Sequence, residues 1–173
     1  MTRRELLIGA AAAATPAFGV PRTSMGIATT SFMTARKPRD TYEFLEYSHS
    51  LGAGGIQSSL ASLEPAYLKK LHDRAGELGM YVEVMAELPK SNETGEFERT
   101  VEAAKTAGAL CIRSAALGGR RYETFSQLSD WQEFVKRSLA AIDRALPIVT
   151  RQGVPLAIEN HKDWTAEELA SMV

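Results

Sequence analysis

The chain has 173 residues, of which 45% are hydrophobic and 24% charged, and this balance excludes a disordered or low-complexity protein. The net charge of −1 gives no general attraction to nucleic acid or to an anionic membrane surface, so we expect no nucleic-acid partner. The single cysteine, Cys111, excludes an internal disulfide bond and a cysteine-only metal cluster.

The first 24 residues contain the parts of an export signal and a leader. Arg3 and Arg4 precede a short alanine-rich apolar stretch, and small residues follow near Ala17. The paired arginines resemble a twin-arginine signal, which is read by a receptor, and the apolar stretch is too short to span a bilayer comfortably. The sequence thus predicts an exported, periplasmic protein with no stable membrane span. If the signal is not used, the protein is cytoplasmic and this segment is an N-terminal helix of the fold.

The rest of the chain repeats one pattern, in which an amphipathic helix ends at a glycine and a short apolar run follows. The four glycines are Gly52, Gly79, Gly108 and Gly153. A glycine just past a helix can close it in the left-handed conformation without a Cβ clash. The predicted strands begin near Ile27, Ile56, Tyr81, Leu110 and Leu156. Strands and helices that alternate at this spacing indicate right-handed βαβ units and a parallel sheet.

Several residues mark where the helices should begin. Three pairs have the spacing of a capping box, namely Asp40 with Glu43, Asp130 with Glu133, and Thr165 with Glu168. Pro65 suits a first helical turn, whereas Pro147 should kink or split the helix that contains it.

Two architectures use this repeat: a doubly wound open sheet and an eight-unit barrel. The first strand is not followed by the glycine-rich phosphate fingerprint that a dinucleotide-binding fold requires, which favours the barrel. Barrels usually need about 250 residues. We therefore expect an α/β protein whose residues 25–173 form one partial domain, a parallel (β/α) barrel of TIM type with only about the first five βα units present. Such a chain would be a gene fragment or a partial sequence.

In a barrel of this type the chemistry lies at the carboxyl ends of the strands. Glu159 directly follows the apolar run from Leu156 to Ile158, so it lies on the strand near the barrel axis. A carboxylate there can bind a divalent cation or take a proton from a carbon next to a carbonyl. His161 is a candidate metal ligand, proton carrier or hydrogen-bond partner of a substrate, unless the segment is only a polar loop.

Two further charged residues lie within apolar strands. Glu83 must point into the barrel mouth or find a partner, and it is a candidate for substrate binding or for an ion pair. Glu87 lies closer to the rim. Arg113 is the natural partner of these carboxylates, and it is equally able to hold a substrate hydroxyl or phosphate.

Residues 25–173 resemble the xylose isomerase-like barrels known as sugar phosphate isomerases/epimerases. The resemblance is carried by LGAGGIQ before the second strand, GMYVEV at the third, the long loop after the fourth, and above all GVPLAIENHKDW. It covers about five of eight units. Gln57 and Ser58 depart from the family pattern, which commonly has an acidic residue there.

The resemblance implies that Glu159, from a Glu-Asn pair at the end of the fifth strand, is a metal ligand. Together with the strand-end positions, it makes Glu159 and His161 the expected catalytic residues and Glu83, Arg113 and Asn160 the expected substrate contacts. The implied cofactor is a divalent metal (Mn, Mg, Co or Zn) that polarises the substrate, with its remaining ligands beyond residue 173. A glutamate would move the proton through a cis-enediolate.

The sequence therefore predicts a metal-dependent isomerase or epimerase of a small sugar or sugar phosphate. We expect this chain alone to bind metal weakly and to show no turnover, because one carboxylate cannot hold a catalytic divalent ion tightly. One alternative is a non-catalytic exported carbohydrate-binding barrel. Another is a phosphoesterase like the abasic-site endonucleases, against which the acidic net charge argues. The sequence leaves the sugar, the metal and the oligomeric state open.

Overall fold

The structure is a computed structural model that describes residues 25–32 and 38–172. The predicted export signal at residues 1–24 lies outside the described residues. Within the described part of the chain, no helix has the length and apolar character needed to cross a membrane.

Five strands form one sheet, and each pairs in parallel with its neighbour. The strands are β1 (Gly26–Ala28), β2 (Gly55–Ser58), β3 (Tyr81–Met85), β4 (Cys111–Ala115) and β5 (Leu156–Glu159). Their spatial order is the same as their order in the chain. A doubly wound sheet reverses its strand order at a switch point, whereas a barrel wall adds its strands sequentially. The predicted α/β fold with five parallel βα units is therefore confirmed, and every strand begins within one residue of its predicted start.

Helices connect the strands, and a short 3₁₀ turn (Thr29–Phe32) follows β1. The helices are α1 (Thr41–Ser50), α2 (Pro65–Leu78), α3 (Gly95–Thr106), α4 (Arg121–Thr124), α5 (Leu128–Gln152) and α6 (Ala166–Met172). The buried apolar residues of every helix except α4 share one core with the strand residues Ile56, Val82, Val84 and Ile112.

Because side chains alternate along a strand, the opposite face of the sheet carries a different set of residues. The inner face includes Gln57, Glu83, Arg113 and Glu159, and these side chains are only partly buried. The fold thus separates an apolar outer face, which the helices cover, from a polar inner face.

The four glycines after helices adopt the predicted left-handed conformation, with φ between +63° and +81°. Gly108 has a second constraint, since a Cβ at this position would clash with the Nδ1 atom of His72. The glycine junctions are therefore confirmed as the points where helices close before strands.

The structure confirms the capping box of Thr165 and Glu168 in full and that of Asp40 and Glu43 in part. The Asp40 side chain accepts a hydrogen bond from the backbone N–H of Glu43 at 2.8 Å. Thr165 and Glu168 exchange reciprocal bonds, Glu168 N–H to Thr165 Oγ1 at 3.2 Å and Thr165 N–H to the Glu168 carboxylate at 2.8 Å.

The prediction for the start of the long helix α5 is wrong, and of the two effects predicted for Pro147, a kink or a split, the split does not occur. Asp130 does not cap it, because α5 begins at Leu128 and Asp130 lies inside the first turn. The start is stabilised by packing instead of a cap: the Trp131 ring lies 5.0 Å from that of Trp164 and 5.4 Å from that of Phe125. The helix also continues through Pro147 to Gln152, so the proline does not split it.

Candidate active site at the carboxyl ends of the strands

The end of β5 brings three predicted site residues together. Ala115 is the register partner of Glu159, so Arg113, two residues earlier on β4, lies on the same inner face. An Nη2 atom of Arg113 forms an ion pair with Oε2 of Glu159. The other carboxylate oxygen, Oε1, lies 3.3 Å from Nδ1 of His161. Both oxygens of the predicted metal ligand therefore contact side chains of this chain.

The ion pair is partly removed from water. The Arg113 side chain is 17% exposed and that of Glu159 is 34% exposed, whereas His161 is 43% exposed at the rim. Burial lowers the pKa of the Arg113 guanidinium from its usual value, while the charge of Glu83 acts in the opposite direction. A charge pair in this environment interacts more strongly than one in open water, and removing one partner leaves the other poorly compensated.

A second polar pair lies deeper on the inner face. Gln57 and Glu83 are register partners on β2 and β3, and the Gln57 amide donates a hydrogen bond to the Glu83 carboxylate at 2.8 Å. The glutamine that departs from the family pattern is thus the partner of the strand glutamate. The register partner of Glu83 on β4 is Cys111. Burial, together with the charge of Glu83, raises the pKa of the Cys111 thiol to about 11.

The structure corrects the expected partner of Arg113. Arg113 forms its ion pair with Glu159 and not with Glu83 or Glu87. The carboxylate of Glu83 is already held by Gln57, and exposed Glu87 pairs with Lys90 at 2.6 Å. Roles for Glu83 and Arg113 in substrate binding stay predictions.

The loop after β5 is organised by Asn160. Its Oδ1 accepts hydrogen bonds from the backbone N–H groups of Asp163 (3.3 Å) and Trp164 (3.2 Å), and its Nδ2 donates to the carbonyl of Trp164 at 2.8 Å. A substrate that contacted this side chain would share an amide whose oxygen and nitrogen both already form hydrogen bonds within the loop. Substrate binding by Asn160 stays a prediction, but its contacts give it a structural role.

Asp163 is a buried residue of the site that no sequence pattern pointed to strongly. It is 1% exposed, and its carboxylate accepts hydrogen bonds from the backbone N–H of His161 at 2.8 Å and of Leu117 at 3.2 Å. It therefore joins the β5 loop to the β4 loop and fixes the backbone that carries His161. The signal available in the sequence was an Asx pattern, in which Asn160 precedes Asp163 by three residues. In the structure this turn holds Lys162 at φ +64°.

An aromatic cluster fixes the far end of the same loop. The Trp164 ring lies 5.0 Å from Trp131 and 5.7 Å from Phe134. The guanidinium of Arg121 lies 3.7 Å above the Trp131 ring, and it also pairs with Glu168 at 2.9 Å. These contacts tie the loop to α5 and α6, so the site rests on a packed support.

A cleft of about 910 Å³ opens beside the ion pair. Its wall includes Ser59, Met85 and Ala115, which lie at the carboxyl ends of β2, β3 and β4, and it extends to α5. Arg113 also lines the cleft, so this residue links the ion pair to the open volume. Basic residues outnumber acidic ones in the wall. The five basic residues are Lys90, Arg113, Lys136, Arg137 and Arg144, and the two acidic residues are Glu87 and Glu133.

The described residues do not fit a complete metal centre. Among them, no group of three or more His, Cys, Asp and Glu side chains could hold a metal ion. Glu159 and His161 supply two such groups, but the carboxylate is paired with the Arg113 guanidinium. A divalent metal at Glu159 therefore stays a prediction.

Comparison with known proteins shows what fold this is. No family model and no curated protein matches the chain. Among solved structures, it is similar to an L-ribulose 3-epimerase, with a TM-score of 0.61 and 18% identity over 86% of this chain and 55% of that one. A D-tagatose 3-epimerase-like protein gives 0.57 and 13% over 87% and 60%. A xylose isomerase domain protein from Planctomyces limnophilus gives 0.52 and 12% over 91% and 57%.

These similarities establish the fold. The chain has the fold of the matching part of these structures, a parallel (β/α) arrangement of TIM-barrel type, and it spans a little over half the length of each. Identities of 12–18% carry no more than the fold.

Proposed function

We propose that this chain is part of an isomerase or epimerase of a small sugar or sugar phosphate, in which Glu159 transfers the proton. The observation that carries the proposal is the position of Glu159 at the carboxyl end of β5, with His161 3.3 Å from its carboxylate. Barrels of this type place their catalytic groups at this end of the strands. Two of the structures with a similar fold are described as a sugar 3-epimerase and an epimerase-like protein, which supports the same chemistry here.

The residues present suit a proton transfer next to a carbonyl. The Glu159 carboxylate would take the proton from the carbon beside the carbonyl and, in an isomerase, return it to the neighbouring carbon on the same face. An epimerase would need a second acid on the opposite face to complete the inversion. Arg113 fixes one carboxylate oxygen, and Asp163 fixes the backbone of His161, whose exposed ring would hold a substrate oxygen. A divalent metal belongs to the proposal only with ligands from outside the described residues, and no step here depends on it.

The charge of the cleft supports an anionic substrate. Its wall carries five basic and two acidic side chains. Arg113 and Lys90 are already paired with Glu159 and Glu87, which leaves Lys136, Arg137 and Arg144 against Glu133. A sugar phosphate would neutralise the excess positive charge, whereas a neutral sugar would not. Among the candidate substrates, we therefore favour the phosphorylated form. The predicted export would place the activity in the periplasm.

The test is exchange of a carbon-bound proton with solvent. The full product of the gene is incubated in D₂O with a panel of ketoses and ketose phosphates, with and without manganese, and deuterium next to the carbonyl is measured by NMR. We expect exchange with a ketose phosphate and a loss of about 100-fold or more in Glu159→Gln, the usual size for a missing acid–base group. Glu102→Gln, an isosteric change at an exposed position of α3, is the matched control and should retain the rate.

Two results would contradict the proposal. One is full exchange by the Glu159→Gln protein; the other is no exchange with any member of the panel. Sugar binding without exchange would instead support the carbohydrate-binding barrel.

A further inference from the structure

We propose that Arg113 competes with divalent cations for the Glu159 carboxylate, so that a metal ion binds there only when this ion pair opens. The sequence resemblance implies that Glu159 binds a metal ion, whereas in the structure its carboxylate is paired with the Arg113 guanidinium. The inference goes beyond the proposed function, because it concerns cation binding in the absence of any substrate.

The first support is the geometry of the pair. Arg113 and Glu159 come from neighbouring strands, so their backbones are held by sheet hydrogen bonds and the contact does not depend on a flexible loop. The guanidinium contacts Oε2, and His161 contacts Oε1. A cation that bound at Oε2 would have to displace the guanidinium, and one that bound at Oε1 would lie close to the same positive charge.

The second support is the burial of Arg113. Its side chain is 17% exposed, and among the described residues its buried Nε has no hydrogen-bond partner. The guanidinium therefore has few ways to replace the contact with Glu159. It cannot lose its charge at any ordinary pH, so it remains a fixed positive charge at the place where a metal would bind.

The third support is the scarcity of other ligands. No group of three or more metal-binding side chains exists among the described residues. A cation at Glu159 would thus have the carboxylate and the imidazole of His161, and it would be repelled by the neighbouring guanidinium. A substitution of Arg113 removes the repulsion between the guanidinium and the cation and leaves both ligands, Glu159 and His161, in place.

The experiment compares manganese binding by the chain and its variants, measured by isothermal titration and by the electron paramagnetic resonance signal of free Mn²⁺. The wild-type chain should bind manganese with a Kd above about 1 mM, which is weaker than dedicated cation sites in proteins. Arg113→Gln should tighten binding at least about tenfold, because a unit charge at contact distance repels a dication by more than this factor even in water. Adding Glu159→Gln to that variant should abolish the gain.

Two controls separate the pair from general electrostatics. Arg144→Gln removes another positive charge from the wall of the same cleft, but Arg144 bonds to Asn92 and to the carbonyl of Pro89, so no gain is expected. Arg113→Lys keeps the charge and should bind as weakly as the wild type. Far-ultraviolet circular dichroism checks that each variant is folded.

The proposal is overturned if Arg113→Gln is folded and binds manganese no more tightly than the wild-type chain, or if Arg144→Gln gains as much. If Arg113→Gln does not fold, Arg113→Met takes its place, because it keeps an apolar side chain of similar length without the charge. Micromolar binding by the wild type that Glu159→Gln removes would show that the carboxylate is open to metal despite Arg113. All these outcomes are independent of the exchange assay, so failure of the proposed isomerase activity would be seen separately.

Discussion

Asp163 offers the sharpest test of how the site is held together. The change is Asp163→Ala, which removes a carboxylate that is 1% exposed and accepts two backbone hydrogen bonds, from His161 at 2.8 Å and from Leu117 at 3.2 Å. No other side chain is bonded to these two N–H groups in the described structure, so both lose their partner.

The magnitude follows from those two bonds. An unsatisfied buried donor costs about 1–3 kcal/mol, and both N–H groups here are only partly buried, so we take about 1 kcal/mol for each. Asp163→Ala should therefore lower the free energy of unfolding by about 2 kcal/mol, which corresponds to a fall in Tm of about 4–8 °C for a chain of this size. Asp163→Asn, which keeps one oxygen acceptor, should lose about half as much.

The assay is urea denaturation followed by circular dichroism, with amide hydrogen exchange of His161 and Leu117 read by NMR. Exchange at these two amides should accelerate in Asp163→Ala. The matched control is Asp73→Ala, because Asp73 is half exposed and Lys69 is its one ion-pair partner among the described residues, so its removal should change stability by less than about 0.5 kcal/mol. A loss below about 0.5 kcal/mol in Asp163→Ala, with unchanged exchange at both amides, would refute the reasoning.

The remaining predictions concern glycines and the cysteine. Gly153→Ala and Gly108→Ala both place a Cβ at φ +70°, and the first has open space around it, so denaturation should show a loss of about 1 kcal/mol there. Gly108→Ala should cost about 1 kcal/mol more, because its Cβ meets His72; equal losses would contradict this contact. Cys111, with a pKa of about 11, should be only about 1% ionised at pH 9, where an ordinary thiol is about half ionised. Its alkylation by iodoacetamide should thus keep rising above pH 9, and a plateau near pH 9 would show that the thiol is not perturbed.

The fold was predictable because each repeated unit carries its own local signals. Gly52, Gly79, Gly108 and Gly153 all take the left-handed conformation that their position after a helix required. The α5 start was not predictable in the same way. A capping pattern at Asp130 is a local signal, whereas the observed start at Leu128 depends on aromatic packing from Trp164, a distant part of the chain.

The candidate site was predictable in its members but not in its pairing. Glu159 stood out because a polar group ends an apolar strand, and Arg113 stood out for the same reason on the strand before it. Which carboxylate Arg113 contacts depends on strand register and on Gln57 having already bonded Glu83, and neither fact is visible locally. Asp163 was missed because its partners are backbone N–H groups, so its only trace in the amino-acid sequence is its spacing from Asn160, which many ordinary polar turns share.

The central claim is that the Glu159 carboxylate faces the barrel mouth, between Arg113 and His161, where a substrate can reach it. The most direct measurement is a crystal structure grown with a ketose phosphate. We predict one carboxylate oxygen on the Arg113 guanidinium, the other about 3.3 Å from Nδ1 of His161, and the sugar in the adjoining cleft. A Glu159 side chain on the outer wall beneath a helix, or at the amino ends of the strands, would contradict the account.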